Sequence, residues 1–232
     1  MLGQIIASGV AMGAIYALVA LGYVFVWNTM SLVNFAAGEF VMFAAFIFVA
    51  SFTEGLGLPF VIAAGASMLV MAVMGAGFSR VVFARLQKQR PLVAIISTVA
   101  FGIVLKESAR IIYGPEPLLY TSDIGAGVTT IMGVRLVNQH ILIVGIVLAV
   151  MVAQHLVLRY TMAGKVMRAV AVDRAAAALM GIPVERVLGL TFAYSSVLAA
   201  LAGIQALGEL GGDLLLGHRP RRRAVDAQQP QH

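Results

Sequence analysis

An amide at Asn34 and a carboxylate at Glu39 stand five residues apart at the edge of a long apolar run, in the stretch Asn34-Phe35-Ala36-Ala37-Gly38-Glu39. Two kinds of chemistry suit that spacing. In the structural one, Asn34 caps a helix by accepting from backbone N–H groups three residues on, and an acid in the opening turns is favoured by the positive helix end. In the functional one, a polar break between two membrane spans lines an aqueous path, because ionisable groups at membrane depth face cavities and mark transport routes. Gly38 would let another backbone approach closely there.

Lys106, Glu107 and Arg110 form a second polar group, with spacings of three and four that place them along one helical side. A charge at mid-membrane costs roughly 2.5 to 3.5 kcal/mol on insertion scales, so this trio belongs toward a span end, paired and snorkelling. A proton relay calls for an isolated acid deep in a bundle. His140 and His155 are isolated, each at a span end, which fits interfacial residues better than metal ligands. The chain has no cysteine, hence no disulfide, thiolate metal site or cysteine nucleophile. Gly164-Lys165 lacks the Ser or Thr and the upstream Gly of a phosphate loop, and there is no metalloprotease helix, nucleophile elbow or dinucleotide fingerprint. Neither catalytic residues, metal nor cofactor is expected.

The third feature is the stretch 159–187. Asp173 can cap a short helix, Arg174-Ala175-Ala176-Ala177-Ala178-Leu179-Met180 is a strong helix former, Gly181 suits the left-handed closing position, Ile182 supplies the apolar contact beside it, and Pro183 forbids continuation. The resulting compact helix either lies on the membrane surface or docks a soluble partner, its Ala-rich face with Leu179 and Met180 suiting a groove.

The elements that must position these groups follow from composition. The chain has 232 residues, 61% hydrophobic and 11% charged, with mean hydropathy +0.96, outside the range of soluble domains. A bilayer core about 30 Å thick takes roughly 20 apolar residues in a helix, and the unbroken apolar runs exclude the alternation of barrel strands. The expected fold is all-α: a polytopic bundle of six spans near 5–27, 32–52, 59–83, 92–113, 141–158 and 187–204. The net charge of +6 reflects topology rather than a nucleic-acid partner. Cytoplasmic loops collect Lys and Arg, and Arg80, Arg85, Lys88 and Arg90 sit in one loop while Arg159, Lys165, Arg168, Arg174 and Arg186 sit in another. Both belong inside. The amino terminus, 53–58 and 114–140 then face outside, and 28–34 faces in. The first 27 residues lack Lys and Arg, so the first run is expected to remain as a span. Gly9 and Gly13 offer the spacing of close helix contact in lipid.

The pattern Gly13-x-x-Tyr16-Ala17-Leu18-x-Ala20-x-Gly22-Tyr23, then 34–39, strongly resembles the membrane permeases of branched-chain amino acid ABC importers. The likeness continues through Arg80 to Arg85, Pro91 to Ser97, Met162-Ala163-Gly164, Arg168, Asp173, Ala177, Gly181-Ile182 and Arg186-Val187, over roughly 3–204. It implies a bacterial inner-membrane protein paired with a second permease subunit, two cytoplasmic ATPase subunits that hold the ATP, and a periplasmic or extracellular substrate-binding protein. It also implies that Asn34, Phe35, Gly38 and Glu39 lie near the translocation path. Arg168, Asp173, Ala177, Leu179, Gly181 and Ile182 become the segment that couples to the ATPases.

Two departures accompany the resemblance. Family members usually carry His where this chain has Ala37, and they continue with further spans beyond 204, where this chain turns into the Arg-rich stretch 207–232. That stretch is expected to be a disordered tail following a membrane domain of 1–206. An outward-crossing last span would put Arg219, Arg221, Arg222 and Arg223 on the wrong side, unless Leu214 to Leu216 re-enter or the end is a truncation or a shifted frame. The alternatives to a working permease are thus a transport-incompetent remnant or an ion-coupled carrier. The carrier would need a buried mid-span carboxylate, for which the sequence offers no convincing candidate.

Overall fold

The computed structural model describes residues 2–30, 33–83, 91–114, 128–131 and 134–215. Its helices are α1 (Leu2–Met30), α2 (Ala37–Phe46), α3 (Phe60–Phe78), α4 (Pro91–Tyr113), α5 (Asn138–Tyr160), α6 (Met162–Val172), α7 (Arg174–Leu179) and α8 (Val184–Leu215). Among the described residues, six helices are long and apolar enough to cross a membrane: Ile5–Met30, Ala37–Gly55, Phe60–Val82, Leu92–Tyr113, Asn138–Tyr160 and Val184–Glu209. Apolar side chains such as Ile5, Val61, Leu69 and Ile111 stay exposed along them, as a lipid-facing surface requires.

The helix α8 is the axis of the bundle. Of its spanning window 61% is buried, against 11% for α5 and 22% for α1 and α3. Small residues permit this. A Cβ on Gly75 of α3 would lie 2.7 Å from the Phe192 carbonyl, and one on Gly203 would strike the Val41 carbonyl of α2. Gly9 and Gly13, by contrast, face open space, so the close approach expected there occurs instead at Gly22, Gly75 and Gly203. Between the helices sits an aromatic cluster in which Phe78 lies 4.3 Å from Phe101 and 5.2 Å from Phe192, ring centre to ring centre, with Phe40 at 6.0 Å.

Two spans deviate from α geometry. After α2 the chain continues as a π-helical segment, Ile47–Gly55, and after α3 as another, Ser79–Phe83. Wider turns leave carbonyls available, and Thr53 Oγ1 donates to the Phe48 carbonyl at 2.9 Å. Between α4 and α5, β1 (Val128–Ile131) pairs antiparallel with β2 (Val134–Val137), Val128 opposite Val137. This hairpin adds a small feature to the all-α bundle.

Ends shift for physical reasons. The second span begins at Ala37 rather than near 32, because the backbone turns at 33–36 before the helix can start. The last begins at Val184, directly after Pro183, whose carbonyl accepts from Arg186 and Val187. It runs to Leu215 rather than 204. Gly208, which looked like the onset of a tail, is packed against Gln139 of α5, and tertiary contact outweighs its low helix propensity. Arg85, Lys88 and Arg90 lie outside the described residues, as do 216–232 with the four arginines of the expected tail.

Candidate functional site

The chain between α1 and α2 turns on Asn34. Its Oδ1 accepts from the Ala36 N–H at 3.1 Å, two residues on, so it makes a local Asx turn rather than the three-residue cap expected; Ala36 at the head of α2 has no side-chain cap. Asn34 is buried at 7% exposure. It lines a crevice with Val19 and Tyr23 of α1, Ala37 and Phe40 of α2, and Ser195 and Ser196 of α8. The opening is about 10 Å³, room for about one water. Ser195 Oγ donates to the Gly22 carbonyl at 3.0 Å, stitching α8 to α1 at this level.

The other candidate residues of the stretch point elsewhere. Phe35 is half exposed, and its N–H donates to Thr98 Oγ1 of α4 at 3.4 Å. Glu39, in the first turn of α2, lies against Gly102 of α4, where an added Cβ would stand 3.3 Å from its carboxylate. Close approach is therefore at Gly102. Gly38 is exposed, with open space where a Cβ would be, which corrects the role expected of it. The structure thus brings Asn34 into the α1–α8 crevice and Phe35 and Glu39 to α4.

At the same end of the bundle lies the 159–187 segment. Thr161 caps α6, its Oγ1 accepting from the Gly164 N–H at 3.3 Å. Gly164 is buried hard against the Leu158 backbone, where a Cβ cannot fit. Arg168 Nη1 donates to the Leu158 carbonyl at 2.6 Å. Asp173 caps α7, its Oδ1 accepting from Ala175 and Ala176 at 2.8 and 3.0 Å. The helix closes as its residues require: Gly181 has φ +81°, its N–H donates to the Ala178 carbonyl, and the Ile182 N–H donates to the Ala177 carbonyl, the paired bonds of a Schellman ending.

Which residues of the segment face out differs from expectation at one position. Ala177 is buried at 1% exposure, in one apolar core with Val26, Met30, Ala36, Phe40 and Val170, and Ile182 packs on that core. Ala177 is the buried face of α7, so it anchors the helix and gives only its edge to the groove beside it. The outward tip is Val172, Leu179 and Met180, with 88%, 90% and 72% exposure. Beside them, Arg168, Ala169, Val172, Asp173, Ala176, Ala177 and Met180 line a groove of about 380 Å³. Arg174 turns inward, its Nη2 donating to the Thr29 carbonyl of α1 at 3.3 Å. Burial pushes its pKa below the ordinary arginine value.

A third polar group escaped the sequence reading. Glu209, 1% exposed, accepts from Ser8 Oγ of α1 at 3.1 Å, and His140 Nε2 of α5 lies 3.1 Å from its Oε1. His140 stands at a span end as expected, but it is buried beside Glu209 rather than isolated. The signal was Gln205 and Glu209, one turn apart on the last apolar helix. By contrast, Glu107 and Arg110 lie 4.0 Å apart with both side chains exposed, and His155 is exposed.

Compared with known proteins, residues 5–211 match the family described as branched-chain amino acid transport system / permease component. The high-affinity branched-chain amino acid transport system permease protein LivH is 27% identical over 216 residues, in Salmonella typhimurium and in Escherichia coli K12, covering 88% of this chain and 70% of the relative. BraD of Pseudomonas aeruginosa, of the same description, is 27% identical over 212 residues, covering 87% and 69%. No solved structure matches the chain.

Proposed function

The chain belongs to the branched-chain amino acid transport permease family, and from that premise we propose that its 159–187 segment is the handle by which ATPase subunits drive it. The family is one of multi-pass inner-membrane transport permeases, not a class of enzymes. This chain serves as one permease subunit of an ATP-driven importer for branched-chain or related amino acids. A second permease subunit completes the membrane pathway, two cytoplasmic ATPase subunits hold the ATP, and an external binding protein delivers the substrate. The permease contributes position and shape.

The observation that carries this reading is the build of the segment. A short helix capped at both ends holds an apolar tip, Leu179 and Met180, out of the bundle, while its inner face shares one apolar core with the turn at 33–36. A surface helix lying on lipid has no need of that connection. In the conformation described, the crevice at Asn34 admits about one water, so an amino acid passes only after the helices around it separate. Motion imposed on the tip would tilt that equilibrium, by as much as the ATPases bind one arrangement better than the other.

Glu209 beside His140 is the observation that favours an ion-coupled carrier. One experiment separates the two. In liposomes holding the chain with its second permease, ATPases and binding protein, labelled leucine should accumulate with ATP and not with a proton gradient alone. Uptake driven by the gradient without ATP would overturn the importer reading.

A further inference from the structure

The end of α1 lacks a cation of its own. The last four carbonyls of a helix have no partner within it and carry partial negative charge, yet α1 has no basic residue in its last turn. Thr29 does not supply a cap, because its hydroxyl turns back to the Phe25 carbonyl at 3.0 Å. The donor comes from 145 residues away: Arg174, first residue of α7, bonds the Thr29 carbonyl. Asp173 beside it is occupied by the N–H groups of Ala175 and Ala176.

This bond stands where two kinds of contact meet. Around it Val26 and Met30 of α1 pack with Val170 of α6 and Ala177 of α7, in the core that also holds Ala36 and Phe40. Apolar contacts carry compression but have no preferred direction, so α7 could slide along α1 without moving it. A charge-assisted hydrogen bond to a fixed carbonyl is directional and short-ranged. Arg168 makes the same kind of bond to the Leu158 carbonyl near the end of α5. That contact is shorter, 2.6 Å against 3.3 Å, but it is exposed, where water competes, whereas the Arg174 bond is part-buried on a carbonyl of the buried Thr29.

Resting on the docking reading above, we propose that Arg174 is a positioning residue for transport: it locks the register between α7 and the end of α1, so that displacement of the docking tip reaches the Asn34 crevice.

The test uses the reconstituted full complex and reads leucine moved per ATP hydrolysed. Arg174→Ala should retain the ATPases and hydrolyse ATP, while leucine per ATP falls five- to tenfold. Arg174→Lys, whose ammonium still donates to a carbonyl, should recover at least half of the loss. Because the chain has no cysteine, nitroxides on Asn28→Cys and Ala175→Cys report the joint directly. Their distance distribution should stay narrow with and without ATP and broaden when Arg174→Ala is added. An unchanged leucine-to-ATP ratio in Arg174→Ala, or Arg174→Lys as impaired as Arg174→Ala, overturns the proposal. If Arg174→Ala does not assemble, Arg174→Gln decides in the same way, losing coupling if the bond matters and keeping it if the contact is incidental. Failure of the unmodified chain to retain the ATPases would overturn the docking reading itself.

Discussion

Gly75 and Gly77 lie two positions apart on α3, and only Gly75 touches α8. An added Cβ at Gly75 would sit 2.7 Å from the Phe192 carbonyl and 2.9 Å from the Ser196 Cβ, while at Gly77 it meets nothing. Helix propensity favours Ala over Gly by about 1 kcal/mol at either site; overpacking a close crossing costs about 1 to 3 kcal/mol. Gly75→Ala should therefore lower the Tm of the detergent-solubilised protein, and Gly77→Ala should hold or raise it. Equal shifts would mean that the α3–α8 crossing is looser than described. Glu209 offers a second contrast. A hydrogen bond contributes about 0.5 to 1.5 kcal/mol, and leaving a buried partner unsatisfied costs about 1 to 3, so Glu209→Ala should lower the Tm clearly, and Glu209→Gln, which keeps an acceptor for Ser8, should lower it less. Equal losses would mean that neither the volume nor the bond from Ser8 carries the effect. The sequence concealed Glu209 because Gly208, Gly211 and Gly212 resemble the end of a span. It showed Asn34 because an amide among apolar residues is conspicuous, though not that Asn34 and Glu39 would face different neighbours.

At the scale of elements, α7 was the most legible part of the molecule. Asp173, the alanine run, Gly181 and Pro183 each act through the local backbone, and local rules need no knowledge of the fold. Asp173→Ala should cost about 1 kcal/mol of helix stability, or roughly a fivefold loss of hydrogen-exchange protection across α7, while Asp173→Asn caps equally well and should change little. Unchanged protection in Asp173→Ala would mean that packing at Ala177 alone holds the helix. The exposed tip gives the complementary test: Leu179→Asp with Met180→Asp should reduce ATPase capture at least tenfold without lowering the Tm. Ala177→Arg cannot serve that purpose, since it places a charge in the core. What the sequence could not supply was this division into an inner and an outer face, because six residues, four of them alanine, carry no pattern to divide.

For the whole molecule, span number was legible, since long apolar runs record the bilayer. The parts assigned inside meet at one end, through Arg174 and Thr29. The parts assigned outside meet at the other, where Ser51 bonds Tyr113 at 2.9 Å and Ser8 reaches Glu209. The arrangement of helices was not legible. Spans such as α1 and α3 are apolar all round, and a helix without a polar stripe does not announce which face turns inward; the choice of α8 as the axis rests on its small residues and buried hydroxyls. The central claim is that 159–187 faces the cytoplasm, where the ATPases reside. It is tested most directly by placing single cysteines at Ala175 and at Thr53 in this cysteine-free chain and adding a membrane-impermeant maleimide to intact cells whose outer barrier is open. The account predicts labelling at Thr53→Cys at once and at Ala175→Cys only after the inner membrane is permeabilised; labelling of Ala175→Cys in sealed cells would contradict it.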